Sequence, residues 1–237
     1  MNSTVRKITI SALLIAITVI CLKVIAIYPG FPFVRISFGP ALIIFSSLYL
    51  GPVYGLVVGA ASDVLGAFLI PTGVYQPLIT VVYGLLGVVP WVLNWLFKKI
   101  NNQKFAGITV YFLVISWFLV SMAMVWFYPQ IDNMTYKIVY SSVGLALAVG
   151  LLIGLHFISK YFEKKNPEYD NKFYRYALIS VIVEIVLMVF GNSFAKSLVY
   201  EQPYMLIVEW MALISFIDIP LASFGSYYLD LLLSKIR

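Results

Sequence analysis

Residues 51–66 read GPVYGLVVGAASDVLG, an apolar stretch of helical length that carries four glycines (Gly51, Gly55, Gly59 and Gly66) and one carboxylate, Asp63. Glycine weakens an isolated helix by about 1 kcal/mol relative to alanine, so a helix that repeats it must recover the loss through packing. Gly51, Gly55 and Gly59 recur every fourth residue and form one stripe. Small residues on a stripe let neighbouring backbones approach closely, which is how helices associate in lipid. Ser62 and Gly66 repeat the spacing one register on. Asp63, at the far end of the stripe, would cost about 2.5–3.5 kcal/mol at the bilayer centre, so it turns inward. Two readings of it stand: an anchor for loop amides or a cation, and a direct ligand contact.

The rest of the chain agrees that this is a membrane helix. Of the 237 residues 62% are hydrophobic and 11% charged, with a mean hydropathy of +0.96, far from the balance of soluble domains. Apolar runs recur at about the 20 residues that cross a hydrocarbon core. The alternating pattern of a membrane barrel is missing. The basic start MNSTVRK leads into an apolar run that continues to Tyr28 with no small-residue cleavage site after it, which reads as a retained first span. The pattern predicts eight helices, over 6–28, 38–50, 52–69, 76–98, 106–128, 137–161, 174–199 and 204–234. The 38–50 helix is only about 20 Å long and meets the next at Gly51-Pro52, so it is expected as half of a hairpin or strongly tilted.

Charge orients the bundle. Arg6, Lys7, Lys98, Lys99, Lys104, Lys160, Lys164, Lys165, Lys172, Arg175, Lys235 and Arg237, twelve of the 16 basic residues, fall in segments that are cytoplasmic if the chain starts inside. Both termini are then cytoplasmic in a multi-pass protein of the cell membrane, and the net charge of +6 reflects topology, with no nucleic-acid partner. A single cysteine, Cys21, precludes an internal disulfide. The single histidine, His156, excludes histidine-pair zinc motifs; it reads as a structural or interfacial residue, or as a proton-handling site if a carboxylate partners it. No phosphate loop GxxxxGK[ST], no GxGxxG and no GxSxG is present. The protein is therefore not expected to be an enzyme, and no cofactor and no metal centre is expected.

Three proline-stiffened aromatic loops share the outer face. The first, IYPGFPFVRISFGP, holds Pro29, Pro32 and Pro40 around Arg35 and should form an irregular cap; its arginine can grip a carboxylate or stack on a planar ring. The second, LIPTGVYQPLIT, places Tyr75, Gln76 and Thr80 between and beyond Pro71 and Pro77. The third is VYEQPYM, at Val199–Met205. Together they describe a lid over a cavity that opens outward. Glu184, Glu209 and Asp218 are further carboxylates inside predicted spans.

VRISFGP followed by LGPVYGLVVGAASDVLGAFLIPTGVYQPLIT resembles the substrate-binding (S) components of energy-coupling-factor (ECF) vitamin importers, most closely their folate family. The matching features are the arginine-aromatic first loop (Arg35 to Phe38), the GP-initiated glycine helix, the D-x-x-G of Asp63 to Gly66, and the P-x-G-x-x-x-P loop of Pro71 to Pro77. The resemblance runs over about residues 8–95. It implies an all-α membrane bundle of six core helices. It also implies that an A-x-x-x-A pair, here Ala12 and Ala16, docks a transmembrane coupling protein carrying two ABC ATPases. In the layout of the last two helices, Asn192, Lys196 and Tyr204 face the cavity, while Glu209 stands where the folate layout would place an arginine.

Two apolar spans exceed the family's six, which predicts an inserted transmembrane hairpin at 105–163 between an N-terminal four-helix part, 1–104, and a C-terminal two-helix part, 164–237. The expected ligand, folate or a related heterocyclic vitamin, is held by Arg35, Lys196 and Lys23. Phe38, Asp63, Tyr75, Gln76, Thr80, Tyr83, Asn192 and Tyr204 order the loops or read its edges. Two other classes stay open. A proton-coupled carrier would use Glu184, Glu209 and Asp218 as a relay, and a non-transporting scaffold of the same fold would bind no small molecule.

Overall fold

The computed structural model describes residues 3–29, 34–71, 74–98, 103–128, 131, 133–165 and 170–234. Pro32, Gly73, Lys99, Lys235 and Arg237 lie outside the described residues, as do the side chains of Lys104, Lys164 and Lys165. The described chain is all-helical apart from one isolated antiparallel bridge, Ile27 to Ile36. The helices are α1 (Ser3–Lys23), α2 (Gly39–Leu50), α3 (Pro52–Leu69), α4 (Pro77–Leu86), α5 (Val89–Phe97), α6 (Gln103–Phe127), α7 (Met134–Lys165), α8 (Asp170–Val183), a π-helical segment (Glu184–Gly191), α9 (Asn192–Tyr200) and α10 (Tyr204–Ser234). Seven stretches among the described residues are long and apolar enough to cross a membrane, and Gly39–Leu50 is a shorter eighth apolar helix.

Proline and glycine set these boundaries. Pro52 and Pro77 each open a helix, where the missing N–H has no partner to lose. Gly51 joins α2 to α3 at φ 102°, a backbone conformation that side chains resist. A Cβ there would meet nothing within 4 Å, so Gly51 serves the turn and is not part of the packing stripe that the sequence suggested. Gly55 and Gly59 do pack: a Cβ on Gly55 would strike the Gly87 carbonyl, and one on Gly59 the Tyr83 carbonyl. α3 and α4 thus cross backbone to backbone. The expected 76–98 helix is broken between α4 and α5, because Gly87 is pressed against Gly55 and Pro90 has no N–H for the Leu86 carbonyl.

The core has two lobes. One gathers α1 to α4 around Leu22, Ile43, Phe45 and Tyr83; the other joins α6 and α7 to α10 around Val114, Trp117, Leu155 and Phe216. α8 and the π segment supply residues to both, Val181 and Val189 to one and Val183 and Met188 to the other. The two C-terminal spans are accordingly 61% and 67% buried, against 28–33% for the five others, and form the axis of the molecule. The α6–α7 pair is keyed into that axis by hydrogen bonds from Trp117 Nε1 to Ser215 Oγ (2.9 Å) and from the Tyr140 hydroxyl to the Glu209 carbonyl (2.8 Å).

Candidate functional site

Asp63 sits one helical turn past Gly59, where the close α3–α4 crossing puts it opposite Thr80. Thr80 Oγ1 donates to Asp63 Oδ2 at 2.6 Å. With that proton committed, the Tyr75 hydroxyl, 3.0 Å away, donates to Thr80. A chain from Tyr75 to Asp63 therefore ties the second loop to the glycine helix. On the other side, Lys23 lies within electrostatic reach of both Asp63 and Arg35, and its stem packs 3.0 Å from where a Gly66 Cβ would stand. Gly66 is what lets a lysine pass.

The Ile27–Ile36 bridge folds the first loop back on itself with paired bonds of 3.0 and 2.9 Å. Residues on such an arm alternate sides: Val34 enters the core and Arg35 turns to α4. Arg35 Nη2 donates to the fully buried Tyr83 hydroxyl at 2.7 Å, Nη1 approaches the Leu22 carbonyl at 3.5 Å, and the guanidinium lies 5.7 Å from the Tyr83 ring centre. Burial opposes this charge, yet Tyr83, Tyr28 and Asp63 outweigh it and hold Arg35 above its ordinary range. It is a fixed cation.

The third contribution comes from the π segment, which periodicity does not reveal. In a straight α-helix Glu184 and Lys196, twelve residues apart, would point about 120° away from each other. The wider turns of Glu184–Gly191 take up that difference. Glu184, Asn192 and Lys196 are all buried, and Lys196 lies within electrostatic reach of Glu184, Asp218 and Arg35. The Lys196 ammonium also approaches Met211 Sδ at 3.5 Å. Asp218, from the middle of α10, accepts the backbone N–H of Ser37. Tyr83 in turn feels Asp63 and Glu184 as well as Arg35. α1, loop 1, α3, α4, the π segment, α9 and α10 thus converge on one cluster of three formal cations, Lys23, Arg35 and Lys196, and three formal anions, Asp63, Glu184 and Asp218.

Within that cluster Glu184 Oε2, Asn192 Oδ1 and Asp218 Oδ1 are buried with no hydrogen-bond partner. Buried acceptors without donors are costly. A site with this surplus suits a ligand that brings O–H and N–H groups.

Of the sequence candidates, Arg35, Asp63, Tyr75, Thr80, Tyr83, Asn192 and Lys196 stand in or against this cluster. Phe38 points elsewhere: its ring lies over Gly225 of α10, where a Cβ would overlap it. Gln76 is the N-cap of α4 and makes no side-chain capping bond. Tyr204 donates to the Phe190 carbonyl at 3.4 Å and meets Phe194 edge-on, bracing the third loop against the helix below. Ala12 and Ala16 share an exposed face of α1. Glu184 and Asp218 were visible in the sequence as intramembrane acids, but their place beside Lys196 needs the π segment. Glu209 lies in electrostatic reach of Tyr136 and Tyr140, between α7 and α10.

The model of the family described as ECF-type riboflavin transporter, S component, matches residues 2–161, which stop short of α8. No curated protein and no solved structure matches the chain.

Proposed function

The chain belongs to the ECF-type riboflavin transporter S component family, and from that premise we propose that its charged cluster binds riboflavin or a closely related flavin from the outer face. A membrane substrate-binding subunit follows from the family, as do a coupling protein and ATPases to drive it; the chain itself has no phosphate loop. The ligand is the finer question, and the observation that carries the flavin reading is the set of unpartnered buried acceptors, Glu184 Oε2, Asn192 Oδ1 and Asp218 Oδ1. A folate, with its two carboxylates, would bring two further acceptor-only anions to a buried site that is short of donors, which is expensive at low dielectric. A flavin adds none, and its ring N–H and sugar-alcohol hydroxyls supply donors for Glu184, Asn192 and Asp218. Arg35 then faces the planar ring, as guanidinium groups stack on aromatic systems.

The membrane orientation belongs to the same reading: with both termini cytoplasmic, the three loops face outward and α1 presents Ala12 and Ala16 as the docking stripe for the coupling protein. The α6–α7 hairpin, 105–163, is read as an insertion that lines the bundle's edge and leaves the ligand cluster to its neighbours.

Titrating the purified protein into riboflavin while following quenching of flavin fluorescence tests the proposal, with folate as competitor. Saturable binding that folate does not displace is the expected result. Absence of flavin binding defeats it, and calorimetric binding of folate in its place would return the ligand to the folate class.

A further inference from the structure

Away from this cluster, the outer ends of α7 and α10 hold a second polar feature that ligand capture does not use. Glu209 is 3% exposed and its Oε1 has no hydrogen-bond partner. Tyr136 and Tyr140, one turn apart on α7, lie within electrostatic reach of its carboxylate. Tyr136 meets Tyr140 with ring centres 6.1 Å apart and meets Trp210 edge-on at 6.4 Å. The Tyr140 hydroxyl is committed to the Glu209 main-chain carbonyl at 2.8 Å, so it fixes the ring and leaves the carboxylate oxygen unserved. Lys137, next in sequence to Tyr136, turns to the α6 side, where its ammonium donates to the Trp126 carbonyl at 3.2 Å. Among the described residues the buried acid therefore has aromatic neighbours and no cation within electrostatic reach.

We propose that Tyr136, Tyr140, Trp210 and Glu209 form a receptor for an organic ammonium ion. Aromatic rings attract a cation through their quadrupoles, and the carboxylate within electrostatic reach of two of them supplies an opposite charge that rings alone lack. Glu209 is five residues into α10 and Tyr136 two residues into α7, within about 8 Å of the helix ends. At that depth both lipid headgroup amines and soluble amines can reach the half-buried Tyr136 and Trp210. The site is independent of the flavin reading, because among the described residues Glu209 shares no charged partner with Lys196, Glu184 or Asp218.

The test uses the full-length purified protein and two probes. Choline is titrated against intrinsic tryptophan fluorescence, and retention of phosphatidylethanolamine over phosphatidylglycerol is read by native mass spectrometry. A saturable choline response assigns a soluble cation; headgroup-selective retention without a choline response assigns the lipid. In either case E209Q should weaken binding about tenfold or more while leaving the flavin titration unchanged. Tyr136→Leu should act in the same direction, and it serves where E209Q fails to fold. The proposal is overturned if the wild type shows neither response, or if both variants bind as the wild type does.

Discussion

Tyr83→Phe removes one oxygen from the middle of the cluster and leaves the ring that Arg35 stacks against. That oxygen accepts the Arg35 Nη2 hydrogen at 2.7 Å, and Tyr83 is fully buried, so water cannot replace it. A buried hydrogen bond to a charged group contributes about 1.5–3 kcal/mol. Among the described residues, the guanidinium's other hydrogen bond, to the Leu22 carbonyl, is weak at 3.5 Å, so the loosened Arg35 should forfeit most of its grip. At about 1.4 kcal/mol per factor of ten, flavin binding weakens about 10- to 100-fold. The same substitution made in an Arg35→Ala background should cost under about 0.5 kcal/mol, since the group that Tyr83 positions is already gone. Fluorescence-quenching titrations of the four proteins complete the cycle. Equal penalties in the two backgrounds, or an unchanged affinity for Tyr83→Phe alone, would refute the claim that Tyr83 acts through Arg35.

Thr80→Val keeps the shape of Thr80 but takes the 2.6 Å donor from Asp63; thermal unfolding in detergent should register a loss of about 1–3 kcal/mol. Gly59→Ala drives a Cβ into the Tyr83 carbonyl and should destabilise by about 1–3 kcal/mol. Gly150→Ala on α7 meets nothing within 4 Å and should stabilise by up to about 1 kcal/mol, so the same melting assay separates a packing glycine from an idle one. Ala12→Leu with Ala16→Leu should leave the flavin titration intact and abolish co-purification of the coupling protein, since two larger side chains hold another helix away from the exposed face of α1.

How much of this could be read in advance depended on how local the signal was. The positions of the eight apolar helices come from hydropathy, and each occurs close to its expected place. The Gly55–Gly59 stripe announces a close crossing because only glycine leaves room for a carbonyl at that distance. Gly51, in the same four-residue series, does a different job, and spacing alone cannot separate a packing glycine from one chosen for φ. The partner of Asp63 is Thr80, a hydroxyl, with Lys23 nearby. Both lay in stretches already suspected of contacting ligand, but which of them closes on the carboxylate follows from how α3 meets α4. Phe38, chosen for its place in the loop motif, packs on Gly225, a residue 187 positions away.

Composition and period thus determine a helical membrane protein with a buried acid on a glycine helix, because partition into lipid and helix periodicity are properties of neighbouring residues. The cluster of ionisable residues was decided by packing over long sequence distances. A π segment resets the phase between Glu184 and Lys196, and a folded-back loop carries Ser37 to Asp218 on α10. Neither event has a local signature. Each exists only because the helices on either side hold a geometry that an isolated helix or loop would relax away from.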